Sequence, residues 1–439
     1  MTDTALKPER IDYDSPEYKR SRKAYLIECA FEYFVSLLVT DAFLAKLLGD
    51  IGMSDATIGI VSSLISLAFL FQFFAVFVVQ RISNTKRFAI IFHCASQMFF
   101  MALYFIPFLP IVEGSNYKNV LVVVCILIAY FGNYLVTSVI YKWGNSFVEP
   151  HHRGRYSAGK EMVSLISGMA VTLLIGFVMD GFEDVNNLHG GFIFAAIGIL
   201  VFSACDFTCL MLIKNDKKPK VEKKDIVPFK EVLRGTLGNK SFRHVLLLAV
   251  LWNVGCYATL GFLGTYRLNE LALTVGAVQV INMAANMVRF SVSKPFGMFS
   301  DKFSYARGIE LGLSLAALGY IFCAVTRPET WVLIIVYTAL YHSAQAGIVQ
   351  NMNNVLFVYV DNRYFVQACA IKNSIGGLFG FLASLLASKL LAYIQGSGNT
   401  FLGMQVYGQQ VLATISFAVV AAALLYTHFV IAKQKPHEA

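Results

Sequence analysis

The 439-residue chain is 57% hydrophobic and only 14% charged, and its mean hydropathy is +0.61. Because soluble domains carry roughly a quarter charged residues, these values exclude an ordinary water-soluble protein and indicate that the bilayer is the solvent of this chain. The net charge of +9 is concentrated in alternate loops, which is typical of membrane topology rather than of nucleic-acid binding.

Apolar segments of roughly 20–27 residues follow one another along the chain, and each is long enough to cross a bilayer as a helix. Twelve can be marked, with predicted bounds 24–48, 56–80, 87–109, 119–142, 156–180, 190–213, 243–266, 274–297, 308–326, 330–353, 365–390 and 405–431. The sequence therefore predicts an all-α integral membrane protein with twelve transmembrane helices, numbered here in chain order.

Basic residues are common in every second loop and rare in the others. The loops poor in basic residues hold only Lys118, Arg267 and Arg327. Since cytoplasmic loops carry the excess of Lys and Arg, both termini and the loop 214–242 are predicted to face the cytoplasm. We expect a multi-pass protein of the cell membrane, the cytoplasmic membrane of a bacterium.

The lysine-rich loop 214–242 divides the chain into two sets of six predicted helices. The predicted organisation is a tail 1–23, a six-helix half 24–213, a linker 214–242, a six-helix half 243–431 and a tail 432–439. A short surface helix is expected in the linker segment "VPFKEVLRGTL". Segments 147–164 and 357–374, at equivalent places in the two halves, align without gaps, as expected of a repeated transporter half.

The segment "GMFSDKFSYAR" lies between the eighth and ninth predicted helices. A glycine, three further residues, Asp-Lys and a later arginine, combined with twelve helices and a basic central loop, resemble the major facilitator superfamily of secondary transporters. Gly297, Asp301, Lys302 and Arg307 match the motif of that family, and Ser304 replaces its second glycine. The resemblance implies two pseudo-symmetric six-helix bundles that work by alternating access.

The same resemblance implies a gate at the cytoplasmic side. Asp301 is predicted to pair with Arg153 or Arg155 at the start of the fifth helix, close to the positive end of that helix. The alternative is a charge that sets topology and has no specific partner. In the first half the equivalent motif is degenerate, because Val76 and Gln80 replace its glycine and aspartate.

Polar side chains share one helical face on the fourth, seventh, eighth and tenth predicted helices. In the resembled family the first, fourth, seventh and tenth helices line a central cavity. The candidate cavity residues are Tyr130, Asn133, Tyr134, Thr137, Tyr141, Trp252, Asn253, Tyr257, Gln279, Asn282, Asn286, Arg289, Tyr337, Tyr341, His342 and Gln345. We expect these faces to point inward, since lipid-facing helices would not carry them. Hydrogen bonding between helices is the alternative.

The first helix carries several acidic residues. Glu32 and Asp41 lie deep in it and are candidates for proton coupling, with structural ion pairs as the alternative, since a buried carboxylate is either paired or protonated. Arg289 is expected to be their cation or an anchor for an anionic substrate. Glu28 lies nearer the cytoplasmic end, where basic residues of the N-terminal tail can pair with it.

These features predict secondary transport of a small polar, sugar-like solute, coupled to H⁺ or Na⁺. The alternatives are a drug or metabolite exporter and a membrane solute sensor that transports nothing. The chain has no phosphate-binding Gly-x-x-x-x-Gly-Lys-[Ser/Thr] loop and no Cys-x-x-Cys pair. We therefore expect no enzyme activity, no cofactor, no metal site and no nucleic-acid partner.

Overall fold

The computed structural model describes residues 13–79, 84–110, 116–149, 153–215, 229–360, 365–401 and 403–434. This part of the chain is almost entirely α-helical, which confirms the predicted all-α class. The helices of the N-terminal half are α1 Pro16–Leu38, α2 Asp41–Asp50, α3 Asp55–Ser62, α4 Leu64–Ala68, α5 Leu70–Val79, α6 Thr85–Leu103, α7 Tyr117–Asn145, α8 Arg153–Asp184 and α9 Leu188–Leu212.

The linker contributes α10, Phe229–Leu237, which lies within the segment where a surface helix was predicted. The helices of the C-terminal half are α11 Lys240–Leu260, α12 Leu263–Thr265, α13 Val275–Lys302, α14 Tyr305–Val325, α15 Leu333–Tyr359, α16 Phe365–Gly396 and α17 Gly408–Phe429. A two-stranded antiparallel hairpin, β1 Thr400–Phe401 and β2 Met404–Gln405, connects the last two helices.

Three predicted spans are broken rather than continuous. The span 24–48 is two helices, α1 and α2, because the Thr40 hydroxyl donates back to the carbonyls of Ser36 and Leu37 and Asp41 has a left-handed φ of 48°. The span 56–80 comprises α3, α4 and α5. The span 243–266 ends in α12 and a π-helical turn, Tyr266–Glu270. Polar side chains that bond to the backbone commonly bend or end helices in this way.

Eight stretches of the described residues are long and apolar enough to cross a membrane. The remaining four predicted spans coincide with α1–α2, α6, α13 and α15, which are helical but carry buried or cavity-facing polar side chains that lower their hydropathy. The apolar helices confirm a multi-pass membrane protein, whereas the count of twelve spans remains a prediction.

Each half has its own hydrophobic core. In the N-terminal half Phe43, Tyr104 and Phe192 are almost completely buried, and in the C-terminal half Tyr320 and Tyr337 are, with their ring centroids 5.7 Å apart. The halves meet along two seams, α8 against α13 and α16 against α3, α4 and α5. These seams enclose the site described next.

We define two ends of the bundle by their residues. The linker end is where α9 ends and α1 begins, and there the backbone N–H of Lys214 donates to Ser21 Oγ at 3.0 Å. The far end is the opposite one, where α2 ends and α13 begins.

Candidate functional site

A cavity of about 360 Å³ lies between the two halves, nearer the far end. Helices α1, α2 and α8 of the first half and α11, α13 and α15 of the second contribute to its wall. Its polar lining consists of Tyr33, Thr40, Asp41, Ser62, Thr172, Tyr257, Arg267, Gln279, Asn282, Asn286, Arg289, Tyr337, Thr338, Tyr341 and His342. Because both halves form its wall, the shape of this cavity changes whenever the halves move relative to each other.

A charged network closes the far end of this cavity. The guanidinium of Arg267 donates to Asp41 at 3.1 Å and to Thr338 at 2.9 Å. The side-chain amide of Asn282 donates to the same carboxylate at 2.9 Å. Arg267 is only 4% exposed, so its charge depends on these partners for compensation. Asp41 belongs to the first half and the other members to the second, so the network joins the halves.

Breaks in helices place the two charges of this network. Asp41 is the first residue of α2 and follows the interruption of the first predicted span. Arg267 lies in the π-helical turn Tyr266–Glu270, and π-turns are frequent at functional sites. Non-helical backbone in a membrane protein is tolerated where it lines a cavity, and both breaks do.

A second polar group faces the cavity from α13 and α15. Nδ1 of His342 lies 2.8 Å from Oδ1 of Asn286. Arg289, one turn further along α13, lines the same cavity and is half-buried. Its guanidinium makes no hydrogen bond or ion pair with another described side chain, so its donors are available to a bound molecule.

A second cavity of about 320 Å³ lies on the linker-end side of the first. Tyr257, Leu260 and Tyr341 line both cavities and therefore separate them. The second cavity is lined by Trp252, Asn253 and Gln345, and Trp252 stacks on Tyr341 with an interplanar angle of 16°. Its cation is Lys372, which donates to Asn353 at 2.6 Å.

The structure brings together most, but not all, of the predicted cavity residues. The candidates on the seventh, eighth and tenth predicted helices line one of the two cavities. The candidates on the fourth helix, now α7, line neither. Tyr130 and Tyr134 stack within the first half, Thr137 bonds to Asn133, and Tyr141 is 54% exposed with Lys160 over its ring.

The acidic candidates of the first helix separate from each other. Asp41 lines the first cavity, whereas Glu32 interacts electrostatically with His93 and Asp206 within the first half. The expected ion pair with Arg289 is absent among the described side chains, because Arg267 is the partner of Asp41. Arg267 had been assigned to a loop, since the apolar run ends one residue earlier. Glu28 is fully buried rather than paired with the N-terminal tail.

Further contacts at the far end also join the halves. Asp55 accepts from Asn269 at 2.8 Å and from Gln395 at 3.1 Å. Asp180 accepts from the backbone N–H of Gly276 at 2.8 Å, at the positive end of α13. Together with the Asp41 network, these bonds hold the far end closed.

The predicted gate lies at the linker end. Gly297, Asp301 and Lys302 occupy the last turns of α13, after the kink-prone Pro295. Asp301 is exposed and makes no ion pair with another described side chain, while Arg307 pairs with Glu310 at 2.7 Å. The side chains of Arg153 and Arg155, its predicted partners, lie outside the described residues, so the pairing remains a prediction.

The model of the Major Facilitator Superfamily matches residues 26–384. The nucleoside transporter NupG is 14% identical over 96% of this chain and 100% of its own, with a TM-score of 0.65. A bacterial homologue of the human lysosomal transporter Spinster, inward-facing and unoccupied, is 13% identical over 96% and 98%, with a TM-score of 0.69.

An auto-inhibited peptide transporter of the POT family is 12% identical over 96% of this chain and 98% of its own, with a TM-score of 0.71. At these identities the likeness establishes the fold alone. No protein with a curated description matches the sequence.

Proposed function

We propose that this chain, which belongs to the Major Facilitator Superfamily, is a secondary transporter that moves a small polar organic solute by alternating access. The observation that carries the proposal is the polar cavity between the halves, whose far end is closed by bonds from one half to the other. Breaking those bonds and forming others at the linker end would expose the same cavity to the opposite side of the membrane. The halves 24–213 and 243–431 are proposed to be the moving bodies.

The lining supports a polar, sugar-like substrate. A volume of about 360 Å³ is at the small end of ligand pockets. The rings of Tyr257, Tyr337 and Tyr341 offer flat apolar faces, and the side chains of Gln279 and Asn286 offer hydrogen bonds. This mixture suits hydroxylated molecules with an apolar ring face, a class that includes both sugars and nucleosides.

Arg289 is proposed to orient the substrate. Its guanidinium is the described cation of this cavity without a protein partner, and it presents several donors in a fixed plane. A carboxylate, a phosphate or a cluster of hydroxyl groups on the substrate would bind there. Asp41 is proposed to couple transport to H⁺ or Na⁺, because neutralising its charge weakens the bond to Arg267 that closes the far end. Glu32 remains a second candidate for the coupling residue.

We also propose that the linker end faces the cytoplasm, in the cell membrane of a bacterium, in agreement with the excess of basic residues there. An exporter would use the same cavity with transport in the opposite direction. A sensor that transports nothing would bind solute without translocating it.

The test begins with a thermal-shift screen of the purified protein against sugars, nucleosides, amino acids and small carboxylates. Hits are then followed as radiolabelled uptake into proteoliposomes with imposed pH or sodium gradients. Arg289→Gln should weaken solute binding at least tenfold, whereas Arg327→Gln, a matched change at an exposed arginine, should leave it unchanged. Binding with neither gradient-driven accumulation nor exchange of labelled solute across the membrane would support the sensor and refute transport. Equal binding by Arg289→Gln would refute the anchor.

A further inference from the structure

A buried cluster of acidic and imidazole groups lies inside the N-terminal half, away from both cavities. It consists of Glu28 on α1, His93 on α6 and Asp206 on α9, each no more than 1% exposed. One ligand atom from each residue lies within 4.8 Å of the other two. None of the three lines a cavity between the halves, so the proposed transport path does not account for them.

We propose that Glu28, His93 and Asp206 form a binding site for one divalent first-row metal ion, such as Zn²⁺ or Mn²⁺, which ties α1, α6 and α9 together. Three donors from three separate helices converge on one point. A donor set of one imidazole and two carboxylates suits these ions, whereas Mg²⁺ and Ca²⁺ prefer oxygen ligands alone.

Atoms left without partners point to a missing ligand. Oε1 of Glu28 and Oδ1 of Asp206 make no hydrogen bond to any described residue, although both are buried. Glu32 adds a further acidic group, which interacts electrostatically with His93, Asp206 and Lys160. Buried acidic groups in excess of basic ones need compensation, and a divalent cation supplies it.

Three polar atoms at the centre of the cluster cannot all hydrogen-bond to one another: an ionised Asp206 can accept from both His93 and Gln97, but the 2.9 Å contact between their Nε2 atoms is then left between two donors. Nε2 of His93, Oδ2 of Asp206 and Nε2 of Gln97 form a triangle with sides of 2.7, 2.6 and 2.9 Å. If His93 donates to Asp206, its N–H meets the Gln97 amide hydrogens. If Nε2 of His93 instead accepts a hydrogen bond from Gln97, it carries no proton to donate, and its lone pair faces the Asp206 carboxylate. Exchanging the O and N atoms of Gln97 places two oxygens against each other, so no arrangement satisfies all three contacts.

A cation resolves this conflict. It would accept the lone pairs of His93 and Asp206 and, with the Gln97 amide reversed, the carbonyl oxygen of Gln97, whose Oε1 has no partner among the described residues. Tetrahedral ligands of zinc, about 2.0–2.2 Å from the ion, lie about 3.4 Å apart. Since the three distances are now 2.7, 2.6 and 2.9 Å, binding requires these side chains to separate by about 0.5–0.8 Å. A proton on Asp206 is the competing resolution, and it is an outcome of the test.

The experiment uses full-length protein in detergent, stripped with a chelator and reloaded with Zn²⁺, Mn²⁺ or Mg²⁺. We expect one Zn²⁺ or Mn²⁺ per chain by elemental analysis, no Mg²⁺, and visible absorption bands of a tetrahedral ion after Co²⁺ loading. Asp206→Asn and Glu28→Gln should weaken binding measured by titration calorimetry more than tenfold, and Gln97→Leu by tenfold or more.

His189 and Asp50 provide the matched control, because they form a partly exposed His–Asp pair at 3.2 Å in the same half. His189→Asn and Asp50→Asn should bind metal like the unmodified protein. If Asp206→Asn fails to fold, Asp206→Glu is measured in its place. It keeps a carboxylate donor and should retain metal binding. Metal content of the unmodified protein no higher than in Asp206→Asn would overturn the proposal. So would a metal-free protein that Asp206→Asn stabilises, which would identify a shared proton instead.

Discussion

The two ends of the bundle are held together in different ways. At the far end, bonds from Asp41, Asp55 and Asp180 cross from the first half to the second. At the linker end, the bonds seen among the described residues do not join the two halves: Trp143 donates to the carbonyl of Lys214 at the start of the linker, and Asn239, near the end of the linker, donates to that of Tyr359. The hydrogen bond across the halves nearest that end, Asn373 to Gln72 at 3.2 Å, lies about two helical turns inside.

This difference shows which contacts select the conformation. The far end is closed by partly buried charges, each of which is costly to leave without its partner. The motif that resembles a family gate, at Asp301, belongs to the other end and is exposed in this conformation. The network at Asp41, which the motif did not indicate, therefore stabilises the state described here. Four substitutions test this contrast.

The largest effect is expected from Arg267→Leu. The variant leaves Asp41 without its cation. We therefore expect the free energy needed to open the far end to fall by about 2–3 kcal/mol. That is below the 3–5 kcal/mol of a fully buried pair, since the Asp41 side chain is 30% exposed. Spin labels at Val185 and Val332, two exposed far-end positions, should report an open fraction raised more than tenfold.

The control for that prediction is Lys46→Gln. Lys46 pairs with Glu183 at the same end, but within the first half, and a partly exposed pair contributes about 0–1 kcal/mol. In Lys46→Gln, the distance distribution between the labels at Val185 and Val332 should be the same as in the unmodified protein. If both variants behave alike, the charge pair across the halves does not set the equilibrium.

A smaller shift is expected from Asp55→Ala. It removes the acceptor shared by Asn269 and Gln395, and we expect about 1–2 kcal/mol because both bonds are charge-assisted but partly exposed to water. The same labels should show a several-fold rise in the open fraction. Asp50→Ala, which loses only a contact to His189 within its own half, should show none. A shift of similar size in Asp50→Ala would count against the prediction.

Asp180→Ala is expected to act through a single bond. Asp180 caps the first turn of α13 from the other half by accepting the N–H of Gly276, and losing a cap costs about 1 kcal/mol. The open fraction should rise by roughly fivefold. Asp180→Asn keeps an acceptor oxygen and should recover most of the difference. An unchanged distribution in Asp180→Ala would show that water replaces the cap.

The smallest effect is expected from Asp301→Asn alone. Its proposed latch forms only when the linker end is closed, which is the minor state of the unmodified protein, so depleting that state changes the measured distance distribution less than twofold. The Arg267→Leu background populates that state, and there Asp301→Asn should visibly lower the ratio of far-end-open to far-end-closed protein by about tenfold, equal to 1.4 kcal/mol. Spin labels at Met211 and Phe303, two exposed positions near the linker end, report the distance between the halves there.

Gln80→Ala, in the degenerate motif of the first half, is the control for that double variant and should change the equilibrium less. An unchanged distance distribution when Asp301→Asn is added to Arg267→Leu would mean that Asp301 is only a solvated loop charge.

Much of the fold follows from the sequence, because twenty apolar residues in a bilayer leave a helix as the only way to satisfy the backbone. The sequence also indicates the polar faces of α13 and α15, because residues on one face of a helix recur at helical spacing. The fourth helix misled the prediction: its tyrosines and Asn133 share a face, but that face packs inside the first half, and periodicity does not distinguish a cavity from a neighbouring helix.

What the sequence could not provide is pairing over distance. Asp41 and Arg267 are 226 residues apart, and Arg267 follows an apolar run, where a topology count assigns it to a loop. Glu28, His93 and Asp206 lie on three helices with no common spacing, so no linear motif signals their convergence. The one signal that the sequence offers for such a site is an ionisable residue inside a predicted span. Glu28, His93 and Asp206 each carry that signal.

The four helical regions that are too polar to count as apolar spans also affect how the protein is made. The α13 segment carries Gln279, Asn282, Asn286 and Arg289, and a charged residue near the centre of a helix opposes its release from the translocon into lipid by about 2.5–3.5 kcal/mol. Its neighbours along the chain, α11 and α14, are among the apolar spans. We therefore expect α13 to enter the bilayer together with a flanking helix, as a hairpin, so that the polarity that builds the cavity also makes biogenesis cooperative.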